Sequence, residues 1–443
     1  MTDAAAPAAR AFVTGGSGLV GSALLGALRA RGTDVVALAR SETAAGAVAA
    51  RGARPARAEL FDEDALAAAM RGCEVVFHVA GVNEMCPLDP TPMYRANVQG
   101  AATVVAAAAR AGVPRLVHTS SAAAIGEAAG AVGREDSPHR GSFLSHYERS
   151  KHEGELAVMA AARRTGLDVV CVNPSSIQGP GRAGGTAKIW LAVVDGRLPA
   201  VADTRMSIVD IDDCVAGHLL AETRGRAGER YLLSGATLTT REAVALVLGV
   251  AGIEEHPRFL PGRAVAAAGA VTELAFRALR RHPPLCREMV RTLRHGHAYD
   301  GSRATRDLGL TYTPVRETVG RTLQWAAREG LLRRPLPGLQ AGTSKGATMT
   351  HVDPDAEDRR RAERNDDSDF ARGIDHPEEH PEEREERPDF ARGIDHPEEH
   401  PEEREVRPDF ARGSESAETE AERQHKRPDF ARGGDDPDRY PKD

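Results

Sequence analysis

The chain has 443 residues, 41% of them hydrophobic and only 4% aromatic, so it can bury a sizeable core that is mostly aliphatic. Its formal charge of −7 conceals a split: residues 351–443 hold 32 acidic against 17 basic side chains, a balance of −15, and the remainder stands at +8. A mildly basic body suits an anionic cofactor, an acidic tail excludes nucleic acid as its partner, and the N-terminus lacks the basic–apolar pattern of a secretory signal. The apolar stretch Ala264 to Ala278 is short and interrupted by Glu273 and Arg277, so no membrane span is expected. Five cysteines (Cys73, Cys86, Cys171, Cys214, Cys286) show no CxxC spacing. They read as small apolar residues in a reducing compartment, and a cytoplasmic enzyme is the expectation.

The first element is built around Thr14-Gly15-Gly16-Ser17-Gly18-Leu19-Val20-Gly21, between the apolar run Ala11-Phe12-Val13 and a helical stretch, Leu24 to Arg31. A strand that turns through glycines into a helix N-terminus aims bare backbone N–H groups and the positive helix end at one point, where a pyrophosphate fits. Gly15 would permit a positive φ, Gly18 the approach of a phosphate, and Gly21 close packing of the helix on its strand. Thr33 to Ala39 reads as a second strand, ending at Arg40. In a dinucleotide fold the residue about 20 positions past the glycines meets the adenosine ribose. An acid there would repel a 2′-phosphate, whereas Arg40 offers it a planar cationic fork. That points to NADP(H), with NAD(H) left open if Arg40 only stacks on the adenine.

Ala53 to Ala58 gives a third strand, ending at Glu59-Leu60, and Asp62 to Met70 the next helix. Glu74 to Val79 is a fourth strand, closing on Val79, Ala80 and Gly81, small residues that leave room for a ligand; His78 in it reads as an interior histidine. Asn97 opens an alanine-rich helix to Ala111, and Arg115 to Thr119 is a fifth strand that delivers Ser120 and Ser121. Strands and helices alternating so regularly imply an α/β fold with right-handed crossovers and a doubly wound parallel sheet. Its ligand crevice lies at the carboxyl ends of the strands, where the glycine loop, Gly81 and the two serines fall.

Tyr147-Glu148-Arg149-Ser150-Lys151 begins the next helix, which runs to about Arg164. Positions four apart share a helix face, so phenol and ammonium project into the same space. A tyrosine with a pKa of about 10 is a poor proton donor or acceptor at neutral pH, and a neighbouring cation should lower it toward the working range. The body uses arginine almost throughout, which singles out this lysine and its compact ammonium.

The glycine loop, the serine-bearing strand and Tyr147-Glu148-Arg149-Ser150-Lys151 together resemble the extended short-chain dehydrogenase/reductases, also called the NAD-dependent epimerase/dehydratase family. The resemblance continues in Asn173-Pro174-Ser175-Ser176, in Ser207-Ile208-Val209-Asp210-Ile211-Asp212-Asp213 and in Gly228-Glu229-Arg230-Tyr231-Leu232-Leu233, and covers about residues 10 to 335. It implies a Rossmann fold, with Tyr147 as general acid/base, Lys151 binding the nicotinamide ribose, and Ser121 hydrogen-bonding the substrate oxygen beside its structural neighbour Ser120. It also implies that Pro174 and Ser176 line the nicotinamide end and that Glu59-Leu60 stands where the family usually has Asp-Leu at the adenine; Thr119 is a further candidate cofactor contact. Val35 to Arg40, His282-Pro283-Pro284-Leu285, His297-Ala298-Tyr299-Asp300 and Asp307-Leu308-Gly309-Leu310 resemble the branch of dihydroflavonol reductases and 3β-hydroxysteroid dehydrogenases. That branch implies reversible hydride transfer to a carbonyl or alcohol of a small lipophilic substrate. The helices after Asn97 and Tyr147 are those that form a homodimer contact in relatives.

The expected organisation is a dinucleotide-binding core over residues 8–180, completed by about 206–235, with a substrate lobe from 181–205 and 236–335. In that lobe Trp190, Met206, Phe259, Phe276 and Met289 read mostly as core. Residues 338–443 form an acidic tail in which Asp-Phe-Ala-Arg-Gly recurs at Asp369, Asp389, Asp409 and Asp429. Too little apolar surface is present there to offset chain entropy, so disorder is expected. The tail reads as a solubilising segment or as a tether whose Phe370, Phe390, Phe410 and Phe430 dock an unknown protein partner. Its histidine pairs, His376 with His380 and His396 with His400, lack a preformed site, and no metal is expected. Two other readings stay open. Arg182, Lys188 and Arg205 could anchor a diphosphate in a nucleotide-sugar epimerase or dehydratase, and a dinucleotide-sensing scaffold could recruit partners through the tail.

Overall fold

The computed structural model describes residues 9–340, except 280, 282 and 284, and without the side chains of 263, 264, 277 and 340. All of the expected tail beyond residue 340, including its repeats and histidine pairs, lies outside the described residues; Gly338, Leu339 and Gln340 end a short helix. Seven strands form one parallel sheet: β1 (Arg10–Thr14), β2 (Asp34–Ala39), β3 (Arg54–Arg57), β4 (Val75–His78), β5 (Arg115–Thr119), β6 (Asp168–Pro174) and a last strand, Arg230–Leu233. In space the last strand comes first, followed by β6, β5, β4, β1, β2 and β3. Alternation along each strand sends side chains to opposite faces. Ala11, Val13, Val35, Phe77 and Val117 therefore join one buried core, and Phe12, Val36, Val76 and Leu116 the other. Both faces being covered explains why the strands read as unbroken apolar runs.

The first core is roofed by α1 (Leu19–Ala30) and α2 (Glu42–Ala50), the second by α3 (Glu63–Met70) and a composite helix. That helix begins at α4 (Thr91–Tyr94), passes through a π-helical turn at Arg95–Gly100 and continues as α5 (Ala101–Arg110), so it starts six residues before the expected Asn97. The long α6 (His146–Thr165) packs on the same side; Ser145 caps its N-terminus by accepting from Glu148 N, and Gly166 ends it with a φ of 74°.

A second group of elements follows: β7 (Ser176–Gln178), α7 (Thr186–Val194), β8 (Ala200–Ala202), β9 (Arg205–Asp210) and α8 (Ile211–Arg224). With Arg230–Leu233 numbered β10, there follow β11 (Ala236–Thr239), α9 (Thr240–Ala251), β12 (Arg258–Leu260), α10 (Gly262–Ala278), α11 (Arg287–His295), α12 (Val315–Arg328) and α13 (Pro337–Gln340). The chain returns to the large sheet through α8, which packs on the first core, and β10, which pairs with β6. β9 sits instead in a small sheet between β7 and β11. Trp190, Val194, Val247, Val319 and Leu323 build a separate core from α7, α9 and α12.

The cysteine expectation is corrected for one pair. Cys86, after β4, and Cys286, before α11, form a disulfide with Cα atoms 6.0 Å apart, whereas Cys73, Cys171 and Cys214 are buried free thiols. Two hundred residues separate the partners in sequence, so spacing carried no sign of the link.

Candidate active site

The chain proceeds outward from β1 to β3 and returns to β4 on the other flank, so β1 and β4 are neighbours whose following loops diverge. Such a switch point opens a crevice at the carboxyl ends of the strands. Gly15 takes a φ of 70°, and a Cβ on it would stand 2.7 Å from Ala80 N. Thr14, buried, braces the crevice: its hydroxyl accepts from Val79 N and Ala80 N at 3.1 Å each and pairs with His78 Nδ1 at 2.7 Å. A Cβ on Gly21 would lie 2.0 Å from Gly15 O, so only a glycine lets α1 come this close to the turn that follows β1. Gly18 caps α1 and only Gly15 O, at 3.5 Å, borders a Cβ there, while Gly16 is walled by Leu25, Val48 and Ala37. No acid stands in the first turn of α1, where Leu19 and Val20 follow Ser17 and Gly18. The cradle therefore fits a dinucleotide pyrophosphate: a close backbone approach and a positive helix end with no competing carboxylate.

The remaining expected cofactor residues lie at or after the carboxyl ends of β2, β3 and β6. Arg40 directly follows β2 and is half-buried; Glu59 is exposed after β3. Leu60 is buried beneath the composite helix, where a Cβ on Gly100 would meet its Cδ2 at 2.7 Å. Pro174 ends β6, and the Ser176 hydroxyl pairs with Thr186 Oγ1 at 3.0 Å and accepts from Gln178 Nε2.

The three residues expected to be catalytic, Ser121, Tyr147 and Lys151, come together at the end of β5. Tyr147 stands close to the Ser121 hydroxyl, while Lys151 Nζ donates to Thr119 O at 3.2 Å. A Cβ on Gly81 would come within 3.0 Å of both Lys151 Nζ and Asn97 Oδ1, which places the ammonium at the floor of the crevice. Ser121 is fixed from behind: Asn173 Nδ2 donates to its carbonyl at 3.0 Å, and its hydroxyl accepts from Ala123 N at 3.2 Å. Ser120 N donates to Val172 O, which turns the Ser120 hydroxyl into a buried position beside the set.

Burial pushes the Tyr147 phenol above its ordinary range, against the opposing pull of the nearby Ser121 hydroxyl and of the Arg182 guanidinium. The expectation of a lowered phenol is thus corrected: desolvation outweighs the cations. Burial also brings the Lys151 ammonium down to about 8, with Glu155 pulling the other way. Glu155 is itself tied to Arg230 at 3.0 Å and accepts from Asn173 Nδ2 at 2.6 Å.

Two residues of this neighbourhood carried no functional signal in the sequence. Asn97 sits in the π-helical turn, its amide donating to Val82 O and Ser150 Oγ at 2.9 Å each while its Oδ1 accepts from Val82 N. A Cβ on Gly154 would stand 2.2 Å from Asn97 O, so a glycine in α6 lets the two helices touch at the level of Lys151. Glu127, 1% exposed, accepts from or pairs with His297 Nδ1 at 2.7 Å and faces His295 Nε2 at 3.4 Å. These three residues offer ligand atoms within 4.8 Å of one another. The Tyr299 hydroxyl meets His297 at 3.0 Å, and Arg140 donates to Glu127 O while forming an ion pair with Glu148. With a guanidinium so close, the cluster is a polar wall beside Tyr147 more than a cation cage. A recess of about 310 Å³ lined by Ser234, Thr237, Tyr299, Asp300, Ser302 and Tyr312 lies behind it and apart from Ser121, Tyr147 and Lys151.

The description of a known family, the NAD dependent epimerase/dehydratase family, matches residues 11–234. A 4-hydroxy-2-methyl-3-oxo-4-farnesyl-3,4-dihydroquinoline-1-oxide ketoreductase of Stigmatella aurantiaca is 35% identical over 306 residues, 68% of this chain and 91% of that protein. Sterol demethylase protein B of Methylococcus capsulatus is 32% identical over 331 residues, 72% and 99% of the two chains. The crystal structure of gox2253 superposes with a TM-score of 0.65 at 31% identity, covering 73% of this chain and all of that one. A glycine cradle at the switch point and relatives that include a named ketoreductase agree: the chain is an oxidoreductase that uses a nicotinamide dinucleotide and belongs to the NAD-dependent epimerase/dehydratase family, the extended short-chain dehydrogenase/reductases.

Proposed function

We propose that the protein reduces a carbonyl, reversibly, on a small lipophilic substrate, with Tyr147 as general acid/base. The observation that carries this reading is the meeting of Tyr147, Ser121 and the buried Lys151 ammonium at the end of β5. When bound, the dinucleotide supplies or takes up a hydride. Ser121 holds the substrate oxygen in place, its own hydroxyl fixed by Ala123 N. Tyr147, kept protonated by burial, donates its proton to that oxygen, which suits the reductive direction. Lys151 offers its ammonium to the ribose side of the crevice, past Gly81.

Lipophilic chemistry is supported by the names of the sterol- and farnesyl-quinoline-directed relatives. NADP(H) is supported by Arg40, the basic residue that follows β2. The core at 8–180, completed by 206–235, would carry the dinucleotide, and the lobe at 181–205 and 236–335 the substrate. The tail would tether a protein partner, and α5 and α6 would carry a dimer contact. A cytoplasmic location would give access to the nicotinamide pool.

Replacing Tyr147 by Phe removes the proton but keeps the ring. Turnover followed at the nicotinamide absorbance should fall by roughly 10²–10⁴-fold with dinucleotide binding unchanged. Unchanged turnover would refute the assignment, and a scaffold would keep its cellular role in the variant. Titrating dinucleotide with and without the 2′-phosphate into Arg40→Ala tests the cofactor preference.

A further inference from the structure

Among the described side chains of α10, those exposed to solvent are all apolar. Ala267, Ala268, Ala270, Val271, Leu274, Ala275 and Ala278 face outward, followed by Leu279 beyond the helix end. Val271 is 69% exposed, Leu274 75% and Leu279 68%. At 100° per residue these helical positions occupy one arc. Val265, Gly269, Thr272 and Phe276 lie on the opposite arc, where a Cβ on Gly269 would meet Val290 of α11 at 2.5 Å and Thr272 Oγ1 donates to Leu285 O. The helix thus turns an apolar stripe to water in addition to the face that it packs on α11. Lone exposed apolar side chains need no explanation, but a contiguous stripe does.

Its surroundings are strongly basic. Residues 262–295 hold seven arginines against Glu273 and Glu288. Of the described side chains, Arg281, Arg287, Arg291 and Arg294 are exposed. The hairpin is also anchored beside the catalytic set. His146 N, next to Tyr147, donates to Glu288 Oε1 at 3.1 Å, Arg291 Nε donates to Leu144 O at 2.9 Å, and Cys286 is bonded to Cys86.

We infer that α10 and α11 form a docking surface for an anionic phospholipid membrane, the apolar stripe of α10 lying among the acyl chains and the arginines meeting the headgroups. An apolar helix face flanked by arginines is the pattern that settles in the plane of an interface. No described helix is long and apolar enough to cross a membrane, so the contact is peripheral. Because α11 packs on the start of α6, the lipid surface would open next to Tyr147.

The test is flotation of the full-length protein with vesicles of phosphatidylcholine alone and of phosphatidylcholine with a minority of phosphatidylglycerol. The expected result is flotation with the anionic vesicles only, weakened by salt as exposed charges are screened. The double variant Val271→Asp, Leu274→Asp should lose at least ~10-fold in vesicle affinity, since both side chains would enter the acyl region. Both positions are exposed, so dinucleotide binding reports that the variant is folded. Tyr147→Phe should float like the parent, which separates this inference from the proposed chemistry. Failure to float, or flotation indifferent to the two aspartates, overturns the inference. So does a concentration-dependent dimer that the aspartates dissolve, which would make a second copy the occupant. So does flotation that appears only after Phe370, Phe390, Phe410 and Phe430 are all changed to alanine, which would assign the stripe to the chain's own tail.

Discussion

Lys151 places an ammonium where water is nearly excluded, and this has a measurable cost. Its pKa of about 8 lies below the ordinary lysine value of about 10.4, so between those limits the unfolded chain holds a proton that the folded protein has released. Stability therefore rises with pH across that window, and the penalty is full below pH 8. Relative to Lys151→Met, the parent protein should be least stable near pH 7 and should close the gap toward pH 10, as read from urea midpoints at the two values. A flat difference would mean that the ammonium is not desolvated. Tyr147 shows the limit of a sequence-level argument at this scale. The four-residue spacing to Lys151 put both groups on one helix face, but the sign of the phenol's shift depends on burial and on Ser121 and Arg182, which arrive from other elements.

At the scale of elements, three buried histidines link strands to helix. His78 of β4 stacks on His118 of β5 with ring centroids 5.2 Å apart, and His218 of α8 pairs with Thr119 Oγ1 at 2.8 Å. Burial holds His78 at about 3 and His218 at about 4, and His118 well below its usual range. Their unfolded values lie near 6.5, so the unfolded chain binds more protons below that pH, and stability is full above about 6.5 and lost as pH falls. His218→Gln should flatten the fall in urea stability between pH 6.5 and 4 by up to about 1.4 kcal/mol per pH unit; an unchanged slope would place the acid sensitivity elsewhere. Interior burial of His78 could be read from its apolar strand, whereas its pairing with Thr14 could not. The glycine loop, β5 and α6 were legible because their signals are local: a glycine turn, a strand ending in serines, a capped helix with Tyr147 and Lys151 on one face. The π-helical turn at Asn97, the strand β6 and the helix α2 were not marked by periodicity or breakers. Glu127 and His297, which meet across 170 residues, leave no trace in either segment alone.

At the scale of the whole molecule, the parallel sheet and the crevice at the carboxyl ends of its strands followed from alternation of strand and helix, but the strand order and the division of β7, β9 and β11 into a small sheet did not. Short strands whose partners are set by tertiary contacts carry little pattern of their own. The Cys86–Cys286 bond is the other long-range feature, and it restrains the unfolded chain over 200 residues. In the chain-entropy account such a loop is worth up to about 5 kcal/mol, and measured disulfides often deliver less. Cys86→Ser, or a reductant, should lower the urea midpoint of the oxidised protein, with Cys286→Ser equivalent. Equal midpoints with and without reductant would mean that the sulfurs are not bonded.

That bond also makes residues 86 to 286 a closed covalent ring with two free ends. Ser121, Tyr147 and Lys151 all lie inside the ring, while the glycine loop lies on the N-terminal end outside it. A protease nick anywhere between the two cysteines would thus leave a single covalent particle until thiols were added, with the glycine loop still fastened to Ser121, Tyr147 and Lys151.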